Sequence, residues 1–155
     1  MKVQELMNRV VRTCSEGDSL EQAARTMWEC DVGCLVVTDA EQRPIGILTD
    51  RDVLMAAFRR GIALSEGRVQ SAMTTNVRTV GPNCTLHELE RLMQAARIRR
   101  VPVVDEGGRL IGIIGLGDLA QYSQWTANHL MGVHGLAKTL WAVTEAATGT
   151  RTAAE

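Results

Sequence analysis

Gly-Ile-Leu-Thr-Asp-Arg-Asp at residues 46–52 is the stretch that decides the fold, and a diverged copy, Gly-Ile-Ile-Gly-Leu-Gly-Asp, follows at residues 112–118. Each copy ends a short apolar strand pattern and begins a helical pattern. A helix start leaves backbone N–H groups without intrahelical partners, and a small polar side chain or a carboxylate satisfies them. Each copy therefore predicts a place where a polar ligand can be held.

The duplication extends well beyond these two stretches. Val3 aligns with Val69 at an offset of 66 residues, and the same offset carries the chain without a gap to Asp52 and Asp118. Further identical pairs at this offset are Met7 and Met73, Val11 and Val77, Leu20 and Leu86, Met27 and Met93, Val37 and Val103, and Ile47 and Ile113. One copy alone is too short to bury a good core, so we expect the two copies to pack face to face.

Each copy predicts the element order β-α-β-β-α. Ser19 and Thr85 are helix N-cap residues, and apolar residues at helical spacing follow both. The expected strands are residues 34–37, 45–48, 101–104 and 110–114, with shorter β segments near Val11 and Val77. The second helix of each copy begins at Thr49 or near Gly115. Pro102 has no N–H to donate, so that side of its strand should be a strand start or a free edge.

These elements predict a mixed α/β (α+β) fold of two pseudo-symmetric repeats packed sheet to sheet, plus a C-terminal helical extension. We expect the first repeat at residues 3–60, a connector at 61–68 and the second repeat at 69–121. Apolar residues at helical spacing place the extension at residues 122–147, and the small polar residues 148–155 predict a disordered tail.

The composition excludes several classes of protein. Hydrophobic residues at 45% and charged residues at 23% are ordinary globular values. A formal net charge of -1 gives no global field to attract nucleic acid or an anionic membrane, so any anion must be bound by a local cluster of cations. No apolar run approaches the roughly 20 residues of a membrane span, and no secretory signal is visible. We therefore expect a cytoplasmic protein that binds neither nucleic acid nor membrane.

The four cysteines, Cys14, Cys30, Cys34 and Cys84, lack the spacing of a metal site. Thiols in a chain without a secretory signal are usually reduced, and a free cysteine packs as a small apolar residue. We therefore expect four reduced, partly buried thiols and no metal site.

The repeated motifs resemble a pair of CBS domains, the tandem module named after cystathionine beta-synthase. The resemblance covers residues 3–121 and rests on the Val-Arg-Thr triplets at 11–13 and 77–79, Arg-Val-Pro-Val-Val-Asp at 100–105 and the segment 46–52. It implies a stand-alone, bacterial-type regulatory sensor without catalysis or a catalytic cofactor. Such a sensor binds AMP, ADP, ATP, NAD(H) or S-adenosylmethionine between its repeats, forms a homodimer and signals to a separate protein, which the sequence does not name.

The resemblance implies one nucleotide site, residue by residue. Thr49 would contact the phosphate region and Asp52 the ribose hydroxyls, while Arg99 and Arg100 of the other repeat would meet the phosphates. The chemistry agrees, because a carboxylate accepts hydrogen bonds from hydroxyls and a helix N-terminus and guanidinium groups favour phosphate. The adenine would be flanked by the side chain of Ile47 and the backbone near Val77.

The second cleft should be weaker than the first. Gly115 stands where the first repeat has Thr49, and Gly33 and Cys34 would be its cross-repeat partners, so no cation should face a phosphate. Val11 and Asp118 remain as its expected contacts. We expect this cleft to be empty or to accept an uncharged adenosyl ligand.

A structural role for the same residues stays open. Thr49-x-x-Asp52 also fits a capping box, in which both side chains satisfy backbone N–H groups at a helix start. Arg99 and Arg100 could form a solvated cationic patch. Capping and ligand contact can coexist, because a hydroxyl and a carboxylate each have several acceptor sites.

Two other functions compete with the sensor. Residues 115–120 match G-x-G-x-x-A, the dinucleotide fingerprint of oxidoreductases, but no acidic residue lies in the helix-leaning stretch 128–138 where the fingerprint needs one. A ligand-free dimerisation scaffold with vestigial clefts is the stronger alternative, and Trp125 and Trp141 could serve it as interface anchors. No residue forms a recognisable catalytic constellation, so we expect no catalytic site.

Overall fold

A computed structural model describes residues 1–125 and 139–140, and all structural statements refer to these residues. Its strands are β1 (Thr13–Cys14), β2 (Cys34–Thr38), β3 (Pro44–Thr49), β4 (Arg100–Val104) and β5 (Leu110–Gly115). Its longer helices are α1 (Leu20–Glu29), α2 (Asp50–Arg60), α3 (Leu86–Ala96) and α4 (Leu116–Trp125), and short 3₁₀ helices span Val3–Glu5 and Val69–Ser71. Most of the expected extension at 122–147 and the whole tail at 148–155 lie outside the described residues.

The first repeat forms a three-stranded sheet in the order β1-β2-β3. Strand β1 pairs parallel with β2, and β2 pairs antiparallel with β3. Helix α1 connects the two parallel strands, as a parallel pair requires. The expected mixed α/β class with paired repeats is confirmed.

The second repeat forms only the antiparallel pair β4-β5, so the expected short strand near Val77 is absent. A single parallel bridge between Val80 and Val103 takes its place. In the first repeat, Val36 N donates to Arg12 O at 3.1 Å. Pro102 occupies the equivalent position and has no N–H, so this bond cannot form and the pairing stops at one bridge.

The two repeats exchange their leading segments, a name used here for residues 3–8 and 69–74. Asn8 pairs with Ile113 of β5, and Thr74 pairs with Ile47 of β3. Both backbone bonds of each pair are 2.9 to 3.0 Å long. Each leading segment therefore completes the structure of the other repeat, although the sequence offset assigns it to its own.

The buried cores reflect the same exchange. The core around α1 contains Val69, and the core around α3 contains Val3 and Met7. Several fully buried residues of one core have a fully buried counterpart 66 residues away in the other core. These pairs are Val3 and Val69, Leu35 and Val101, Val37 and Val103, and Leu48 and Ile114. The hydrophobic effect thus joins the repeats, because neither core is complete without a segment of the other.

Local capping fixes where the helices begin and end. Ser19, Thr49 and Thr85 each accept a hydrogen bond from the third residue of the following helix, and each forms a capping box. Helix α2 is followed by Gly61 at φ 63°, a left-handed conformation that glycine adopts without strain. The expected helix starts at Ser19, Thr85 and Thr49 are confirmed.

Candidate functional site

The first cleft is a cavity of about 160 Å³ between the repeats. Its lining residues are Ile47, Thr49, Thr74, Asn76, Val77, Arg78, Ile98, Arg99 and Arg100. The pairing of Thr74 with Ile47 holds the chain that leads to Val77 against β3. The structure therefore brings five of the six expected residues together.

Thr49 and Asp52 form the capping box at the start of α2. Thr49 Oγ1 accepts from Asp52 N at 3.2 Å, and Asp52 Oδ2 accepts from Thr49 N at 2.9 Å and from Thr49 Oγ1 at 2.6 Å. Both residues are half-buried. Thr49 and Asp52 therefore cap α2, as the structural alternative predicted. No described residue bonds to Asp52 Oδ1, so this oxygen can still accept a hydrogen bond from another group.

Asp52 is the expected residue that does not line the first cleft. It lines a neighbouring cavity of about 400 Å³ between α2 and the leading segment 69–74, together with Arg59 and Arg60. Its capping bonds turn Oδ2 back toward its own helix start. Thr49, the capping partner of Asp52, lines the first cleft, so Asp52 lies beside that cleft without lining it.

Three arginines give the first cleft its charge. Arg78, Arg99 and Arg100 are exposed, and none of them forms an ion pair with any carboxylate of the described residues. Unpaired guanidinium groups at the wall of a cavity create a local positive potential, although the chain has a net charge of -1. The lining also contains the apolar side chains of Ile47, Val77 and Ile98.

The second cleft is a cavity of about 260 Å³, related to the first by the 66-residue offset. Its lining residues are Asn8, Val11, Arg12, Val32, Gly33, Cys34, Arg100, Ile113, Gly115 and Asp118. The expected Val11 and Asp118 thus line one cavity, as do their expected partners Gly33 and Cys34.

The expectation that no cation faces this second cleft is wrong. Arg12 and Arg100 both line it. Arg12 is the repeat equivalent of Arg78, and Arg100 lies on β4, where it pairs with Gly115 of β5. Burial raises the pKa of the Cys34 thiol, an effect opposed by the Arg100 guanidinium and reinforced by the Asp50 carboxylate, so Cys34 adds no negative charge to this cleft.

Asp118 repeats the role of Asp52 at the start of α4. Its Oδ2 accepts from Gly115 N at 2.7 Å, but Gly115 has no hydroxyl to complete a capping box. This bond occupies a backbone N–H that a dinucleotide fingerprint would offer to a pyrophosphate. Strand β5, which precedes the motif, pairs antiparallel with β4 rather than within a parallel β-α-β unit. The geometry disfavours the oxidoreductase alternative.

The family model for the CBS domain matches the chain twice, over residues 3–59 and 69–124. The chain belongs to the CBS domain family, as a tandem pair. CBS domain-containing protein YhcV of Bacillus subtilis is 36% identical over 121 residues, which cover 76% of this chain and 82% of that protein. A protein of Methanopyrus kandleri is 33% identical over 78% of this chain, which spans only 62% of that protein's length.

Solved structures of other CBS proteins have the same fold. A CBS-domain-containing protein from Agrobacterium tumefaciens is 38% identical, with a TM-score of 0.69, and the alignment covers 79% of this chain and 98% of that one. The CBS domain pair of protein MJ0100, solved with 5'-methylthioadenosine and S-adenosyl-L-methionine, has a TM-score of 0.72 at 22% identity. That alignment covers 81% of this chain and 98% of the other.

Sequence reasoning missed several residues that line the clefts of this CBS pair. Arg12 and Arg78 are the most important of them, because they add charge to both cavities. Each directly follows a valine that was itself an expected cleft residue, in the repeated Val-Arg-Thr triplet. That identity at the 66-residue offset was the signal that could have found them.

The four cysteines are free thiols, and burial raises the pKa of Cys14 to about 12, with help from the Asp18 carboxylate. Across residues 1–125 and 139–140, no three metal-ligating side chains cluster together. In the same part of the chain, no helix combines the length and the apolar character that crossing a bilayer requires.

Proposed function

We propose that this CBS pair is a non-catalytic sensor that binds an adenosine nucleotide in the first cleft and signals to a separate protein. The observation that carries the proposal is the composition of that cleft. Its lining combines apolar side chains, three arginines that form no ion pair with the described residues, and Thr49 at a helix N-terminus. This arrangement suits an adenine, a phosphate and the sugar that joins them.

The charge of the cleft favours AMP, ADP or ATP over the other candidate ligands. Three cations without carboxylate partners would be left uncompensated beside an uncharged ligand, whereas phosphate oxygens accept bidentate bonds from guanidinium groups. The complex of MJ0100 supports the proposal at the level of the fold, since that CBS pair holds adenosyl ligands. NAD(H) and S-adenosylmethionine remain alternatives that the same experiment separates.

The test is calorimetric titration of the full chain with AMP, ATP, NAD, S-adenosylmethionine and adenosine. We expect AMP to bind and the double variant Arg99→Gln/Arg100→Gln to bind it at least about tenfold more weakly, because each charge-assisted bond contributes roughly 1.5 to 3 kcal/mol. Arg91→Gln is the matched control, since Arg91 is exposed on α3 and lines neither cleft. Its affinity for AMP should equal that of the wild type.

Thermal unfolding separates the sensor from the ligand-free scaffold. At 100 times Kd, a ligand adds about 2.7 kcal/mol to the free energy of unfolding and raises Tm by several degrees. We expect AMP to raise Tm in the wild type and in Arg91→Gln. No binding heat and no shift in Tm with any of the five compounds would leave the scaffold as the better description.

We also propose that the sensor is a homodimer that associates through α1 and α2. These helices contact each other and carry three large exposed apolar side chains, Trp28, Leu54 and Phe58, which are 88%, 66% and 78% exposed. On α3, Gln94 stands at the position of Trp28, and its Nε2 donates to Thr139 Oγ1 at 2.8 Å. Thr139 of the same chain thus contacts α3. We propose that a second copy of the chain contacts the equivalent helix α1.

Light scattering after size-exclusion chromatography tests the dimer. We expect the wild type to have the mass of a dimer and Phe58→Glu to have the mass of a monomer, because a charge at a buried apolar interface is costly. Val10→Glu is the control, since Val10 is 65% exposed and lies on neither helix. A monomeric wild type, or loss of the dimer in both variants, would contradict this interface.

A further inference from the structure

Arg100 is the only residue of the described part of the chain that lines both clefts. It is the first residue of β4, and its side chain is exposed. Its Nη2 lies 3.7 Å from the point where a Cβ on Gly33 would be, and its Cγ lies 3.7 Å from the same point on Gly115. The side chain therefore extends over two glycines into the second cleft, while it also forms part of the wall of the first.

Both neighbours of the Arg100 side chain are glycines where the other repeat has larger residues. At the 66-residue offset, Gly33 corresponds to Arg99 and Gly115 corresponds to Thr49. Longer side chains at residues 33 and 115 would contact the path that Arg100 follows. The departures from repeat symmetry that seemed to weaken the second cleft thus leave the Arg100 side chain between two residues that have no side chain of their own.

The arrangement is not reciprocal, because the repeat equivalent of Arg100 is Cys34. A protonated thiol on a single carbon is uncharged and does not line the first cleft. The two clefts therefore share one arginine side chain. The first cleft keeps Arg78 and Arg99 when Arg100 is withdrawn, whereas the second keeps only Arg12.

We propose that Arg100 is a shared anion-binding residue that makes the two clefts antagonistic for phosphate-bearing ligands. This inference rests on the proposed function of the first cleft. A guanidinium engages one phosphate in a bidentate contact at a time, so a nucleotide in the first cleft withdraws Arg100 from the second. The coupling is reciprocal, so an anion in the second cleft weakens binding in the first by the same factor. A ligand without a phosphate leaves Arg100 where it is.

Alkylation of Cys34 reports the position of Arg100 directly. Cys34 lines the second cleft, and the Arg100 guanidinium favours both its thiolate and the approach of an anionic reagent. The experiment compares initial rates of Cys34 labelling in the full chain by iodoacetate, an anion, and iodoacetamide, which is neutral. Mass spectrometry of the peptide that contains Cys34 separates it from the other thiols. The rates are measured without ligand, with saturating AMP and with saturating adenosine.

We expect AMP to lower the iodoacetate rate relative to the iodoacetamide rate by about threefold or more, since one nearby positive charge is removed. Adenosine should leave that ratio unchanged. A fall of the iodoacetamide rate to the same extent would mean that AMP occupies the second cleft, which would overturn the antagonism. Binding of AMP with both rates unchanged would overturn it as well, while the proposed function would stand. No binding of AMP would overturn both.

Variants provide the matched controls. Arg100→Gln should have the low rate ratio before any ligand is added, and AMP should not lower it further. Arg91→Gln should behave as the wild type does. In a second measurement, Cys34→Arg adds a cation to the second cleft, so the gap in affinity between the two AMP-binding steps should narrow by about threefold or more relative to Cys34→Ser, which should keep the two steps at least tenfold apart. Equal steps in Cys34→Ser would contradict the sharing of Arg100.

Discussion

Gly46 and Gly112 show how single residues hold the two repeats together. A Cβ on Gly46 would lie 2.6 Å from Met73 Sδ, and a Cβ on Gly112 would lie 2.5 Å from Met7 Sδ. Each methionine belongs to the leading segment supplied by the other repeat. Glycine suits both positions because a side chain there would force the methionine that packs against the strand to shift.

Gly46→Ala and Gly112→Ala should therefore each lower the free energy of unfolding by about 1 to 3 kcal/mol, the usual cost of overpacking a core. Urea unfolding followed by circular dichroism measures the change. Gly117→Ala is the control, because nothing lies within 4 Å of its Cβ position and it belongs to helix α4. Alanine there should stabilise the protein by about 0.5 to 1 kcal/mol. Equal effects at all three positions would refute the close-packing argument.

The sequence predicted part of the site through its resemblance to CBS domains. That resemblance implied that Val77, Thr49 and Arg99 share one cleft, and all three line the same cavity. The second contact of Arg100 could not be predicted in this way. It depends on how the Arg100 side chain lies against Gly33 of the first repeat and Gly115 of β5. The 66-residue offset does not show such contacts.

At the scale of elements, the β2-β3 turn is held by one carboxylate. Asp39 accepts from the backbone N–H groups of Glu41 and Arg43, at 3.0 and 2.8 Å, and from Arg43 Nε at 2.8 Å. The backbone bond from Arg43, assisted by its guanidinium, lowers the pKa of the Asp39 carboxyl below its ordinary value of 3.8. Asp105 accepts the equivalent backbone bonds in the β4-β5 turn.

Asp39→Asn should destabilise the protein at pH 7 more than at pH 3. A carboxyl whose pKa is lower in the folded state stabilises the fold above its unfolded pKa and loses this effect as the pH falls through its folded pKa. Urea unfolding of wild type and variant at both pH values measures the difference. Arg43→Met keeps both backbone donors, so we expect a smaller loss at pH 7. A difference between wild type and Asp39→Asn that does not depend on pH would contradict the assignment.

Strand prediction succeeded where short apolar runs are separated by turns. It failed where the formation of a strand depends on one backbone N–H of the partner strand. Strands β2 to β5 lie within two residues of the expected bounds. The expected strand near Val77 was wrong because Pro102, on the partner strand, cannot donate the bond that Val36 donates in the first repeat. The sequence contained that proline, but its effect depends on which residue lies opposite it.

At the scale of the whole molecule, the repeats cannot be separated. Val69 and Met73 complete the core around α1, and Val3 and Met7 complete the core around α3. The sequence predicted two copies in contact, but not this exchange, since the offset shows which segments are alike and not which of them pack together. The connector also contributes, because Leu20 N donates to Gly67 O at 3.0 Å.

Fragments 1–61 and 62–155 should each be largely unfolded alone and should fold when mixed, since each lacks part of its core. Circular dichroism of the separate and mixed fragments measures this, with the intact chain as the reference. The intact chain itself should unfold in a single transition. A fragment that folds cooperatively by itself would show that its core is complete without the other repeat.

The exchanged leading segments also bear on how such a chain could have arisen. A single ancestral repeat with this architecture could complete its core only by borrowing the leading segment of a second molecule. Gene duplication and fusion would then have joined in one polypeptide what two identical polypeptides had formed before. The two copies became free to diverge once they were inherited together, and Arg100 and Cys34, now different at equivalent positions, are a product of that freedom.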